Sequence, residues 1–214
     1  MRILAGLGTA VVVLSLGIPG ELSAQGSRPA VGAYVGYSRT HLGGTDAEET
    51  EARQGALTGV YLHFPLSRIV SLRPELTFAL KGGRTETADG SVFDIEIAYV
   101  EFPVLAKVAA PLGRVRPVFF GGLAPALRIG CDFLLFLPEG AEEPDPDERV
   151  ACGEGDVAVV RSMDIGFVLG GGIERLWPSA ALSLEARVTA GLRSAFDDLE
   201  IRNRAFALVL GLTF

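Results

Sequence analysis

Two histidines, two cysteines and a surplus of carboxylates are the residues of this chain that could do chemistry. A Ser-His-carboxylate hydrolase needs a base within hydrogen-bond reach of its nucleophile. His41 and His63 are the imidazole bases on offer. Ser38 is near His41 in sequence, but no motif joins the pair to a carboxylate. His63 ends an extended segment beside a turn and reads as an interior or interfacial residue. Calcium takes clustered oxygen ligands, and two stretches supply them. Asp46, Glu48, Glu49 and Glu51 form one; Glu139, Glu142, Glu143, Asp145, Asp147, Glu148, Glu154 and Asp156 form the other. Neither has the acid spacing, glycine and final glutamate of an EF-hand, so a solvated acidic surface is expected. The Cys and His spacing fits no zinc motif. Gly121-Gly122 and Gly170-Gly171-Gly172 lack the following helix and the Lys-Ser/Thr pair of a phosphate loop. No catalytic residue, metal or cofactor is assigned.

The balance of 19 basic against 26 acidic residues, a net charge of −7, speaks against nucleic acid as a partner. At 49% hydrophobic residues the 214-residue chain is far too apolar to remain unfolded. Its first segment has the layout of a secretory signal: Met1-Arg2, an uncharged run from Ile3 to Ile18, the break Pro19-Gly20, and small residues Ser23-Ala24. That run is short of the ~20 residues a spanning helix needs. Cleavage after Ala24 is expected, leaving a domain over 25–214. No later stretch has the length and apolarity of a spanning helix.

The elements that must position these residues are strands. From Leu182 to Arg193, Leu182, Leu184, Ala186, Val188, Ala190 and Leu192 share one face, and Ser183, Glu185, Arg187, Thr189, Gly191 and Arg193 the other. This is period-two alternation, which a helix would scramble. Ser71–Lys81 and Phe206–Phe214 repeat it. Eight strands are expected near 30–38, 56–64, 71–81, 95–109, 116–130, 162–176, 181–193 and 202–214. Short connections (65–70, 110–115, 177–180) alternate with long ones (39–55, 82–94, 131–161, 194–201). An even strand count with short turns at one end and long loops at the other is the layout of an outer-membrane barrel. Backbone groups cannot be left unpaired in lipid, so the sheet must close. The expected fold is all-β: an eight-stranded, antiparallel, up-and-down transmembrane β-barrel.

Charges of both signs fall at mid-strand on the polar face: Arg73, Glu75, Glu101, Lys107, Arg116, Arg128, Asp164, Glu174, Glu185 and Arg187. An eight-stranded interior is just wide enough for side chains to fill it, and buried charges must be paired. These ten are expected to line a plugged interior, with the apolar face toward outer-membrane lipid. The glycine clusters then read as tight barrel curvature. Pro74, Pro103, Pro117 and Pro125 sit within strands whose ladders need an N–H that proline lacks. Cys131 and Cys152 flank the acidic stretch in the longest loop, in an oxidising compartment where disulfides persist. A bridge between them would close that stretch into a ring.

The chain resembles the outer-membrane β-barrel domain family that includes porin-like and PorT-like small barrels. The matching stretches are Leu72-Arg73-Pro74-Glu75-Leu76 with Lys81-Gly82-Gly83, Tyr99–Lys107, Arg116-Pro117 with Gly121-Gly122, and Asp164-Ile165-Gly166 with Gly170–Glu174. Leu184-Glu185-Ala186-Arg187 with Gly191-Leu192, Asn203-Arg204 and Gly211–Phe214 continue it. Val118 departs from a tyrosine common in the family. The resemblance implies a bacterial outer-membrane location and, at Pro74, Pro103 and Pro117, bulges or kinks near the periplasmic rim. It also implies that the last strand, ending at Phe214, is read by the barrel-assembly machinery. The expected role is non-enzymatic: a structural or surface-interaction barrel whose loops meet an extracellular ligand of unassigned identity, in an unassigned oligomeric state. A narrow porin for small solutes is the alternative, and a lipid-modifying enzyme a more distant one.

Overall fold

The computed structural model describes residues 29–43, 51–86, 92–136, 150–152, 161–194 and 201–214. The signal segment and most of the acidic loop residues lie outside the described residues; Glu51 lies within them. The strands are β1 (Ala30–Gly43), β2 (Arg53–Pro65), β3 (Val70–Glu86), β4 (Val92–Glu101), β5 (Val104–Ala109), β6 (Val115–Phe136), β7 (Val150–Ala151), β8 (Met163–Leu176), β9 (Ala181–Gly191) and β10 (Arg202–Thr213). They pair in the order β2-β1-β10-β9-β8-β6-β4-β3, and β2 pairs with β3 to close the ring. First and last strands meet in register from Gly32↔Thr213 to Gly43↔Arg202.

Strands β4 and β5 are two halves of one wall strand. Glu101↔Ala126 above and Val104↔Leu123 below keep one register on β6, so the ring has eight members. The interruption falls at Phe102-Pro103, since proline has no N–H for the ladder. Glu75 N still donates to Pro103 O (2.8 Å), and Phe102 N donates to Pro125 O (2.8 Å). Pro74 acts the same way. The β2–β3 ladder stops at Tyr61↔Glu75 and resumes at Phe64↔Leu72. The expected bulges at the prolines are therefore not what forms: hydrogen bonds are skipped while the register runs on. The irregularity between β4 and β6 falls at Ala98/Tyr99 instead. Pro117 does lie near the rim, two residues into β6, whereas Pro103 lies near the middle of its wall strand.

Several strands run further outward than expected. β1 continues to Gly43, β3 to Glu86 and β6 to Phe136, where the small β7 pairs with it. Outside the bilayer a strand still gains its ladder, but its outer face no longer meets lipid. The apolar alternation fades while the hydrogen bonding continues.

The faces are inverted relative to a soluble barrel. Val35, Leu76, Phe119, Leu169, Leu184 and Leu208 are exposed on the outer wall, while Arg73, Glu75, Lys107, Glu174 and Glu185 are buried inside. Ala30 and Phe214 lie at the end of the short turns 65–70, 110–115 and 177–180. Two tyrosines help brace the wall. Tyr61 lies opposite Gly32, where an added Cβ would sit 2.2 Å from its ring, and Tyr34 lies opposite Gly59 in the same fashion. Each ring occupies the space a neighbouring side chain would need.

Candidate functional site

The interior is built in tiers, set by which residues of each strand have inward parity. At the centre, Arg73 (β3) and Arg187 (β9) meet Glu75 (β3) and Glu185 (β9). Strands β3 and β9 stand on opposite sides of the ring, so this quartet crosses the lumen. Arg73 makes a two-pronged contact with Glu185, Nη1 to Oε1 at 2.7 Å and Nη2 to Oε2 at 3.1 Å. Arg187 reaches Glu75 the same way, at 2.8 and 3.3 Å, and also Glu185 Oε2 at 2.9 Å. Arg73 Nε is 2.8 Å from Glu75 Oε1, close enough to attract but not aligned for a hydrogen bond. All four are nearly sealed from solvent: Arg73 and Glu185 are 1% exposed, Glu75 5% and Arg187 6%. Bidentate guanidinium–carboxylate geometry offsets the cost of burying charge there.

Aromatic rings wall the quartet. Arg73 lies over Phe120 at 4.7 Å and Tyr61 at 5.3 Å; Arg187 lies over Tyr34 at 4.6 Å and Phe120 at 5.3 Å. Such stacking suits the flat, weakly hydrated guanidinium. Tyr34 also donates to Glu75 Oε2 (3.0 Å) and shares a hydrogen bond with Thr77.

The tier toward the short turns joins Lys107 to Glu174 (2.6 Å) and Arg116 Nε to the other oxygen of Glu174 (2.7 Å). Arg116 is half-buried, at a mouth cavity of about 540 Å³ that His63, Trp177 and Phe214 also line. Above the quartet, Lys81 contacts Glu101 at 2.5 Å. Asn203 Nδ2 donates to Asp164 Oδ2 at 2.8 Å. Arg128, half-buried, stands opposite Tyr99 in the β4–β6 register. A cavity of about 40 Å³, lined by Ser38, Thr77, Lys81, Glu101 and Arg187 among others, separates these tiers. It has room for a few waters.

The outermost tier is apolar. Leu42, Ile95, Ile97, Tyr99, Ala126 and Cys131 pack together, with Phe133, Cys152 and Ile201 against them. Cys131 and Cys152 are joined in a disulfide. Cys152 N donates to Cys131 O (3.1 Å), so the bridge spans directly opposed residues of β6 and the β7 ribbon.

The ten charges singled out from the sequence thus all lie on the inner side, eight buried and two half-buried. That list of charges omits several partners. Lys81 shares a face with Arg73 and Glu75 and was detectable by the same count. Tyr34, Tyr61, Tyr99 and Asn203 also have inward parity, but only the folded ring shows them touching charges. Ser38 is buried in the lumen and His41 stands on the outer wall, because three steps along a strand reverse the face. Among the described residues, no group of three or more His, Cys, Asp or Glu side chains is arranged to hold a metal. The glycine clusters lie in paired strands, as Phe120↔Gly170 shows, with no helix following.

A closed ring, an inverted polarity and a charge-filled interior together describe a small outer-membrane barrel. The protein family described as outer membrane protein beta-barrel domain matches residues 23–197. The chain belongs to that family. Its place is the bacterial outer membrane. As a family member it is similar in structure to Neisserial surface protein A, at 9% identity and a TM-score of 0.52, over 87% of this chain and 98% of that one. At such identity the likeness shows the fold alone. Lower overlap is found with the outer membrane enzyme PagL (10% identity, TM-score 0.47, 83% and 97% covered). The attachment invasion locus protein Ail of Yersinia pestis is comparable (10%, 0.43, 88% and 100%). No curated protein matches the sequence.

Proposed function

We propose that this protein is a non-enzymatic outer-membrane barrel with a closed lumen, a structural or surface-interaction scaffold for its extracellular segments. The observation that carries this reading is the Arg73–Glu185–Arg187–Glu75 quartet, which crosses the lumen between opposite walls. The apolar tier around Ile95, Ile97 and the disulfide adds a second barrier at the outer end. A solute would have to break buried ion pairs, whose disruption is strongly unfavourable, and then cross a dry layer. Against an acyl-transfer or hydrolase role, Ser38 and His41 stand on opposite faces of β1. The carboxylate that shares the inner mouth with His63, Glu174, is engaged by Lys107 and Arg116.

In this reading the mature domain is 25–214, and its exposed belt faces outer-membrane lipid. The barrel-assembly machinery reads the terminal strand ending at Phe214, which is 68% exposed. The working surface is the disulfide-closed outer segment, presented to an extracellular ligand. The test is planar-bilayer conductance of the refolded mature chain, with folding shown by heat-modifiable gel mobility. A folded, silent barrel is expected. Discrete, reproducible steps would overturn the closed-lumen reading and make the narrow porin the function.

A further inference from the structure

The outer wall carries a group of cations that the closed interior does not use. On β1 the outward residues run Val31, Ala33, Val35, Tyr37 and then Arg39 and His41; on β10 they run Leu212, Leu210, Leu208, Phe206 and then Arg204 and Arg202. The two strands pair, with Arg39 opposite Phe206, His41 opposite Arg204 and Gly43 opposite Arg202. Arg39, Arg202 and Arg204 are exposed, and none of them forms an ion pair among the described residues. Arg204 and His41 converge over Gly43. A Cβ placed there would lie 3.5 Å from Arg204 Nε and 3.7 Å from His41 Cδ2.

On the neighbouring outward extension of β2, by contrast, Arg53 is matched. Arg53 crosses the bare Gly82 to reach Asp94 Oδ1 at 2.8 Å and also contacts Glu96. The β1/β10 group is therefore a cluster of exposed cations without carboxylate partners among the described residues of a protein of net charge −7. Like charges on neighbouring strand positions repel one another. Arg39 lies level with Phe206, and Arg204 and Arg202 lie outward of it, so the group sits at the edge of the lipid-facing belt where Tyr37 and Phe206 are the last aromatic residues of β1 and β10. That is headgroup depth, since aromatic girdles mark the interface of such barrels.

We propose that Arg39, Arg202 and Arg204 form a binding site for the phosphate-bearing headgroup of an outer-leaflet lipid, seated on the β1/β10 seam. Guanidinium forks match phosphate oxygens in two-pronged geometry, and the lipid supplies a counter-charge that no described residue provides there. The site holds the headgroup of a lipid whose chains lie on Val35, Tyr37, Phe206 and Leu208.

The test is lipid retention in native mass spectra of the full mature barrel, folded in mixed vesicles of phosphatidylcholine and phosphatidic acid and then extracted. Wild type is expected to retain phosphatidic acid several-fold over its share of the mixture. The triple variant Arg39→Gln/Arg202→Gln/Arg204→Gln is expected to lose that preference. Arg68→Gln/Arg114→Gln, at the opposite end of the barrel, is expected to keep it. Should the triple variant not fold, Arg204→Gln and Arg39→Gln are measured singly, and each is expected to weaken the preference. Equal retention in wild type and these variants overturns the proposal. So does a loss in the Arg68/Arg114 variant as large as that in the triple variant. Binding of inorganic phosphate that abolishes phosphatidic acid retention without requiring the membrane would also overturn it, by making the site one for a soluble anion.

Discussion

Glu185 shows how narrowly the interior is balanced. Its two oxygens serve Arg73 and Arg187, so one substitution takes the two-pronged partner from buried Arg73 and one contact from Arg187. Glu185→Ala is expected to lower stability by about 3–5 kcal/mol, the usual cost of breaking a buried ion pair from one side. Urea unfolding of the barrel in detergent micelles measures it. Adding Arg73→Leu to Glu185→Leu should recover part of that loss, because the Arg187–Glu75 fork survives intact. A double variant as unstable as the sum of its singles would show that the pair does not act as a unit. Gly32 makes a steric counterpart. A Cβ there overlaps the Tyr61 ring, with its nearest atom at 2.2 Å. Gly32→Ala should cost about 1–3 kcal/mol from overpacking, and Tyr61→Leu in the same chain should relieve most of it. Absence of relief in the same unfolding series would assign the cost to the backbone.

At the scale of elements, the wall and its outer extension obey different physics. Within the bilayer each strand must complete its ladder, and the register therefore runs on past Pro74, Pro103 and Pro117. Beyond it, β6 and the two-residue β7 are held by few ladder bonds and by the Cys131–Cys152 bridge. Reduction, or Cys131→Ser with Cys152→Ser, should release that segment without opening the ring. The chain-entropy contribution of such a bridge is about 3 kcal/mol. The expected readout is faster proteolytic cleavage within 137–149, with unchanged heat-modifiable mobility of the barrel. Loss of barrel mobility on reduction would mean that the bridge staples the wall itself.

For the whole molecule, closure and polarity fix its orientation in the membrane. Trp177 is the single tryptophan and lies at the short-turn rim, beside the mouth cavity and under Arg175 at 5.2 Å. Its fluorescence should be quenched more by lipids brominated near the glycerol than by lipids brominated near the chain ends. The reverse order would place the rim deep in the bilayer and contradict the belt read from the outer wall. The ion-pair tiers, the small cavity and the apolar outer tier act in series, so the silence expected in planar bilayers is a property of the whole lumen rather than of one constriction.

Much of this was legible in the sequence because strand faces are local. Residues i and i+2 share a side whatever the rest of the chain does. Leu182, Leu184 and Val188 were thereby separable from Glu185 and Arg187 by counting. The need to close a sheet in lipid then turned eight such segments into a ring. His41 was expected in or near the first loop, and only the continuation of β1 to Gly43 sets it on the face opposite Ser38. Parity could not say that Arg73 would meet Glu185, because the sequence separation is 112 and the contact crosses the lumen. That meeting depends on the summed register of every intervening strand pair, including the shift at Ala98/Tyr99. Nor could hydropathy find the outward reach of β1, β3 and β6, since the ladder outlasts the bilayer that imposes the pattern. The sequence by itself determined the strands, the two faces and the polarity of each. Only the tertiary structure decided which charges are partners, because height around a closed barrel accumulates strand by strand and no local segment contains it.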